Sequence, residues 1–191
     1  IQIGKHYFQK VMEMWQMVNK SSIFAEEYRV WHTPVISAYL FWRFATMYMS
    51  PGKGIKREAP SCILFFILGG ILRQNALIKN YIIGRKTLIT MLKAIKKSGD
   101  ADLIDTIHNR IRETMSHTSQ AIDIAVASGM LEWDFDKATL VPQKINSISG
   151  SAKFRDSKYF NRLVSIVENL AKMFSDVPSP SDLAALLKVR L

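Results

Sequence analysis

Cysteine is nearly absent from this 191-residue chain: there is one, Cys62, and it sits inside an apolar run. A single thiol excludes an internal disulfide framework, and a small thiol among apolar neighbours reads as packing rather than chemistry. No apolar stretch reaches membrane-spanning length. The most apolar one, "PSCILFFILGGILRQN", holds twelve uncharged residues from Ser61 to Leu72, closed by Arg57 and Glu58 before it and by Arg73 after it. A spanning helix needs about 20 apolar residues. Twelve, at about 1.5 Å each, fall well short of a hydrocarbon layer roughly 30 Å thick. The run is therefore expected to be a helix buried on all sides, with no membrane contact. Its Gly69-Gly70 pair would cost about 1 kcal/mol per residue in an exposed helix. In a buried one the pair lets another backbone approach closely. The opening "IQIGKHYFQKVMEMWQMV" is amphipathic and lacks the apolar core of a secretory signal, and Ile1 in place of methionine leaves the true N-terminus open. These features together make a cytoplasmic protein the expectation.

The residue sets that carry most enzyme chemistry are missing too. "PGKGIKREAPS" has glycines and lysines, but neither Lys53 nor Lys56 precedes a Ser or Thr that could hold magnesium, so it is not a phosphate loop. His6, His32, His108 and His117 are scattered. His108 could pair with Asp105 one helical turn away, which reads as a helix-surface contact rather than a metal or catalytic site. "DADLID" lacks the alternating oxygens and the glycine of a calcium loop, and no serine stands in a nucleophile elbow. No catalytic residue, metal or cofactor is expected. An enzyme whose site assembles from distant residues stays an alternative.

Acidic residues are scarce in one region. From Lys53 to Lys97 the basic residues are Lys53, Lys56, Arg57, Arg73, Lys79, Arg85, Lys86, Lys93, Lys96 and Lys97, and the only acid is Glu58. That block carries nearly all of the chain's net charge of +10. Such density fits contact with a DNA backbone or with an acidic protein surface, and it fits equally a solvated face.

Hydrophobic residues make up 48% of the chain and charged ones 22%, enough to fold around a core. Tyr7 to Val18 reads as an amphipathic helix, and residues 1–30 as that helix and a connector. In "HTPVISAYLFWRFATMYMSPGKG", Thr33 is a good N-cap, Pro34 suits the first helical position and Ser50-Pro51-Gly52 ends the element. Arg85 to Lys97 gives a further helix, broken at Ser98-Gly99-Asp100. Leu103, Ile104, Ile107 and Ile111 mark another. Thr118 or Ser119 can cap a third, "QAIDIAVAS", which Gly129 terminates. Then the period changes: "MLEWDFDKATLVPQ" alternates around a turn at Asp134 to Ala138 and reads as a β-hairpin. Tyr159 to Phe174 is strongly amphipathic, and "SDVPSPSD" ends it and caps a last short helix. The expected fold is mainly α. A helical domain at 31–191 includes a winged-helix-like unit of three helices plus a hairpin at about 87–143, and C-terminal helices at about 157–191.

The winged-helix-like unit is poorly made for reading DNA. Its third helix, "TSQAIDIAVASG", has no Lys or Arg, where a major-groove helix needs basic or amide side chains. The wing sets Glu132, Asp134 and Asp136 against Lys137, and those carboxylates would repel phosphates. The unit is better suited to protein contact, and a free-standing winged-helix DNA-binding regulator is the alternative it disfavours.

Four segments in register resemble a family. They are "HTPVISAYLFWRFATMY" with its Trp-Arg-Phe centre, the apolar helix "PSCILFFILGGILRQNAL", the helix and hairpin "TSQAIDIAVASGMLEWDFDKATLVP", and the ending "FNRLVSIVENLAKMFSDVPSPSDLAALLKVRL". The chain from about Trp31 to Leu191 is similar to the middle component of bacterial three-component ABC systems, which include the middle subunit of the Lamassu anti-phage defence system. Two departures stand out. The family often has proline where Gly69-Gly70 stand, and Gly-Val-Arg where this chain has Lys188-Val189-Arg190. The resemblance implies a non-catalytic accessory subunit. Its implied partners are an SMC-like ABC ATPase and an effector, in Lamassu typically a nuclease, with DNA met non-specifically inside the complex.

Overall fold

Thr33 and Pro34 open the first helix as the sequence predicts. Proline has no backbone N–H to lose at the first helical position, and α1 runs from Pro34 to Tyr48. The computed structural model describes residues 33–50, 58–82, 84, 87–145 and 158–190. The expected helix Tyr7–Val18 and the rest of residues 1–30 lie outside the described residues. The apolar run forms α2, Cys62–Leu72. A single short turn, α3 (Asn75–Leu77), passes directly into a π-helical turn at Ile78–Ile82. There follow α4 (Leu88–Ser98), α5 (Asp102–Asp105), α6 (Ile107–Ala127), strands β1 (Leu131–Asp134) and β2 (Thr139–Pro142), α7 (Lys158–Ser175) and α8 (Pro180–Leu186). The result is a mainly helical protein with one small antiparallel hairpin, in register Leu131 to Pro142 and Asp134 to Thr139.

The long helix α6 is the axis of the fold. It packs against both α1 and α2, and α7 packs against α1. Phe65 and Leu68 of α2 are fully inaccessible. One side of α2 (Cys62, Ile63, Phe66 and Gly69) is only half-buried, so the helix is not enclosed on every side as expected. Its glycines do allow the close approach foreseen for them. A Cβ added at Gly69 would lie 2.5 Å from Thr118 Oγ1, and one at Gly70 would lie 2.6 Å from Ile111 Cγ1 and 3.1 Å from the Ile111 backbone nitrogen. An alanine at Gly69 would force the Thr118 side chain to shift, and one at Gly70 would press on the α6 backbone as well as on the Ile111 side chain.

The continuity of α6 corrects one expectation. Thr118 and Ser119 were good candidates to cap a third helix, yet the segment is one helix of 21 residues. Its buried stripe is Ile107, Ile111, Thr114, Thr118, Ala121, Ile122 and Ala125, a regular three-and-four spacing. Two threonines occupy positions where apolar residues would have made that stripe obvious. Thr114 Oγ1 donates back to the Arg110 carbonyl at 2.8 Å. A hydroxyl satisfied within its own helix does not end it. The helix stops where expected, at Gly129 (φ 71°), with the Met130 N–H donating to the Ala125 carbonyl.

The Trp-Arg-Phe centre of α1 ties three neighbours together. Trp42 Nε1 donates to the Gln143 carbonyl just past β2 at 3.1 Å. Arg43 forms an ion pair with Glu168 of α7. Phe44, completely buried, sits edge-on to Phe65 of α2 and to Phe174 of α7 at 5.5 and 5.7 Å between centroids. Together the triplet secures the segment after β2, α2 and α7, which accounts for the motif structurally. The hairpin is anchored from below as well. Leu140 N–H donates to the Pro60 carbonyl and Cys62 N–H to the Ala138 carbonyl, so residues 60–62 lie along β2 before α2 begins.

Candidate partner and nucleic-acid interface

Two surfaces leave α6 at opposite ends. The basic helix α4 reaches the start of α6 through Gly99–Ala101 and the four-residue α5, and the hairpin follows the other end. A helix of 21 residues is about 30 Å long, so the two attachment points are separated by that length.

Thr87 caps α4, its Oγ1 accepting from the Thr90 N–H at 3.2 Å. The helix therefore starts at Leu88 rather than at Arg85. Gly99, at φ 82°, closes it, and Asp100 N–H donates to the Ile95 carbonyl. Leu88, Met91 and Ile95 are buried and hold the helix down, chiefly against the π turn at Ile78–Ile82. The opposite face shows Ile89, Thr90, Lys93, Lys96 and Lys97, all exposed. Lys93, Lys96 and Lys97 stand three and four residues apart and so share one face. None of the three makes an ion pair among the described residues. Lys96 and Lys97 sit in the last turn, where the helix dipole favours positive charge.

Of the other basic residues singled out in the sequence, Lys79 is exposed on the π turn against which α4 packs. Arg73 caps the C-terminal end of α2 and is half-buried. Lys53, Lys56, Arg57, Arg85 and Lys86 lie outside the described residues. The structure thus gathers Lys93, Lys96 and Lys97 on one helix face, with Lys79 on the element beneath it.

The hairpin differs in sign and in kind. Glu132 is exposed, and its Oε2 accepts from Gln143 Nε2 at 2.7 Å. Asp134 Oδ1 accepts from the Lys137 N–H at 3.2 Å, which stabilises the turn. Asp136 is exposed at the tip beside Phe135. The turn occupies Phe135 to Ala138, one residue shorter than expected because Asp134 pairs with Thr139 as the end of β1, and Ala138 lies in the left-handed region at φ 50°. Phe135 was not singled out in the sequence. It is 83% exposed, the highest value among the large apolar side chains of the described residues, and its ring stacks on Trp133 at 5.7 Å and 14°. The available signal was an apolar residue placed inside a turn.

The expected contact between His108 and Asp105 does not form. Asp105 belongs to α5, and its Oδ1 instead accepts from Lys188 Nζ at 2.7 Å. His108 Nδ1 is buried without a hydrogen-bond partner. Among the described residues no group of three or more His, Cys, Asp or Glu is placed to hold a metal ion, and no helix is long and apolar enough to cross a membrane.

A family model described as ABC-three component (ABC-3C) system Middle Component 3 matches residues 21–191. No curated protein matches the chain. No solved structure matches it either.

Proposed function

The chain belongs to the Middle Component 3 family of ABC-three component systems, and from that premise we propose that it is a non-catalytic accessory subunit that bridges the heads of an SMC-like ABC ATPase and an effector nuclease. The setting is Lamassu-like bacterial defence against phage or plasmids, in the cytoplasm. The observation that carries the reading is the extent of the family match, which runs over the whole buried core from Ile36 to Val189. The resemblance of four segments to Lamassu-type middle subunits supports the narrower setting. Two surfaces of opposite charge, attached at the two ends of α6, suit a subunit that holds two different neighbours.

Within that assembly the α4 face, with Lys93, Lys96, Lys97 and nearby Lys79, lies against DNA phosphates held by the ATPase. Such contacts are sequence-independent. A free-standing DNA-binding regulator is favoured only by the net charge of +10, and the acidic hairpin opposes it.

Co-expression with the products of neighbouring genes tests the role. Wild-type protein should co-purify with both an ATPase and an effector, and alone it should neither hydrolyse ATP nor cut DNA. ATP hydrolysis that survives repurification and disappears on changing one of its own residues would overturn the non-catalytic reading. Specific, tight DNA binding without partners would favour the regulator.

A further inference from the structure

We propose that α4 is a wedge for duplex DNA: Ile89 enters the minor groove and partly unstacks one base step, while Lys93, Lys96 and Lys97 hold phosphates beside it. This rests on the reading that the α4 face meets DNA, and it adds what that face does to the DNA.

Folding gives no reason for the isoleucine. Leu88, Met91 and Ile95 bury the inner side of α4. Ile89 stands on the opposite side, 59% exposed, and shares it with the three lysines. Spacings of four and seven residues put Ile89, Lys93 and Lys96 in one strip. A β-branched residue is a poorer helix former than lysine, so local propensity does not favour isoleucine there either. Its position is nonetheless fixed. Thr87 caps the helix before it, Gly99 closes the helix after it, and the three buried residues fasten the inner side. An isoleucine in a helix keeps one dominant χ1 rotamer, so it loses little freedom on insertion.

The composition of the face selects the partner. The centres of protein interfaces are rich in aromatic residues and arginine and poor in lysine. This face has three lysines, Thr90 and the isoleucine. The apolar side of α4 is already buried in the protein, so the helix has no face to lay into a lipid surface. The nearest acids in sequence, Asp100 and Asp102, come only after the left-handed stop at Gly99. Phosphates are the complement of such a face. Lys93 and Lys96 lie about 6 and 10 Å along the helix axis from Ile89, and the minor groove is about 6 Å wide. With Ile89 over the groove, their ammonium groups reach the phosphates along its edge. An apolar side chain entering a base step from this groove unstacks it and bends the duplex.

The test uses the complex co-purified with the neighbouring-gene ATPase and effector. The probe is a short duplex with a central 2-aminopurine, a base that brightens when unstacked, either fully paired or with one adjacent mismatch. Wild type should brighten the paired duplex and bind the mismatched one about tenfold more tightly, because a mismatched step is already partly unstacked. Ile89→Ala should lose both effects and keep the salt slope of binding. Its melting should not fall, because the side chain is exposed. Lys93→Gln with Lys96→Gln should keep the mismatch preference and flatten the salt slope by about 0.9 per lysine. If Ile89→Ala still brightens the probe and prefers the mismatch, the wedge is overturned and the phosphate contact stands. If the glutamine variant keeps the wild-type affinity and salt slope, α4 does not meet DNA and both readings fail. If Ile89→Ala sheds a subunit while its DNA behaviour is intact, the face is a protein contact and the wedge is overturned. If no complex forms, the accessory-subunit reading fails and the wedge fails with it.

Discussion

Midway along α6, an added Cβ on Gly69 or Gly70 of α2 would overlap Thr118 or Ile111. At its two ends the attached elements instead hold apolar side chains in water, Ile89 at 59% and Phe135 at 83% exposure. Where α2 crosses it, α6 has no room, although its Met115 is 50% exposed, and the ends have no cover. This contrast separates residues that make the fold from residues available to a partner. Interiors are packed as densely as organic crystals, so the middle cannot carry a variable contact. The ends, fastened by capped turns and strand pairing, can change their exposed side chains at little cost to the core. Substitutions in the middle should therefore act on stability, and those at the ends on association.

The largest effect is expected at Leu68, which is wholly inaccessible in the middle of α2. Leu68→Asp should abolish soluble expression, because an unpaired charge buried there costs several kcal/mol. Wild-type solubility and melting of that variant would remove α2 from the core.

A smaller but still large effect is expected at the glycines. In Gly70→Ala the new methyl meets the Ile111 backbone nitrogen as well as its side chain, and a backbone cannot turn aside. Overpacking costs about 1–3 kcal/mol, against about 1 kcal/mol gained in helix propensity. Net destabilisation of up to about 2 kcal/mol should appear in denaturant unfolding. Gly69→Ala strikes only a threonine hydroxyl, and one that has no hydrogen-bond partner. Its cost should be largely removed by adding Thr118→Ala, a coupling that a double-mutant cycle measures.

At the ends, stability should barely move. Reversing Lys93, Lys96 and Lys97 to Glu should lower melting only slightly, through the acids placed in the last turn of α4, leave assembly unchanged and lower the DNA affinity of the complex. Each lost phosphate contact should flatten the salt slope by about 0.9. Glu132→Lys with Asp136→Lys should leave DNA affinity nearly alone. If the lysine variants fail to assemble, the α4 face is a protein interface. If the hairpin variants are the ones that change DNA binding, the hairpin reads DNA after all.

The same contrast explains what the sequence could reveal. Helix starts and stops were legible wherever a residue has one local job: Pro34 at a first position, and Gly99 and Gly129 in left-handed stops. The hairpin was legible from its alternation. The unity of α6 was not, because Thr118 and Ser119 look like caps until the burial of Thr118 against α2 is seen. The π turn at Ile78–Ile82 was not legible either. The Ile82 carbonyl accepts from Asn169 Nδ2 at 3.1 Å, a bond between residues 87 apart in sequence. Of the basic block, the α4 lysines could be placed on one face by spacing alone. Phe135 as an exposed ring could not be read, since alternation assigns it to the same side as Trp133 and says nothing of where the sheet ends.

The smallest effect, and the one that most finely divides backbone from side chain, is expected at Lys188. It follows α8 with φ 55°, in the left-handed region where a non-glycine residue is strained by about 1 kcal/mol. This is the position at which the resembling family often has glycine. Lys188 gains an ion pair with Asp105, but both side chains are more than half exposed, and such pairs contribute about 0–1 kcal/mol. Lys188→Ala removes the ion pair and keeps the strain. Lys188→Gly removes both, at some cost in unfolded-state freedom. In an ordinary helical position alanine is more stable than glycine by about 1 kcal/mol. Here the order should reverse, with Lys188→Gly the more stable of the two variants by about 1 kcal/mol in denaturant unfolding. Lys188→Ala should lose some tenths of a kcal/mol relative to wild type, and that loss should vanish in high salt. If alanine proves better than glycine, the left-handed stop after α8 is wrong.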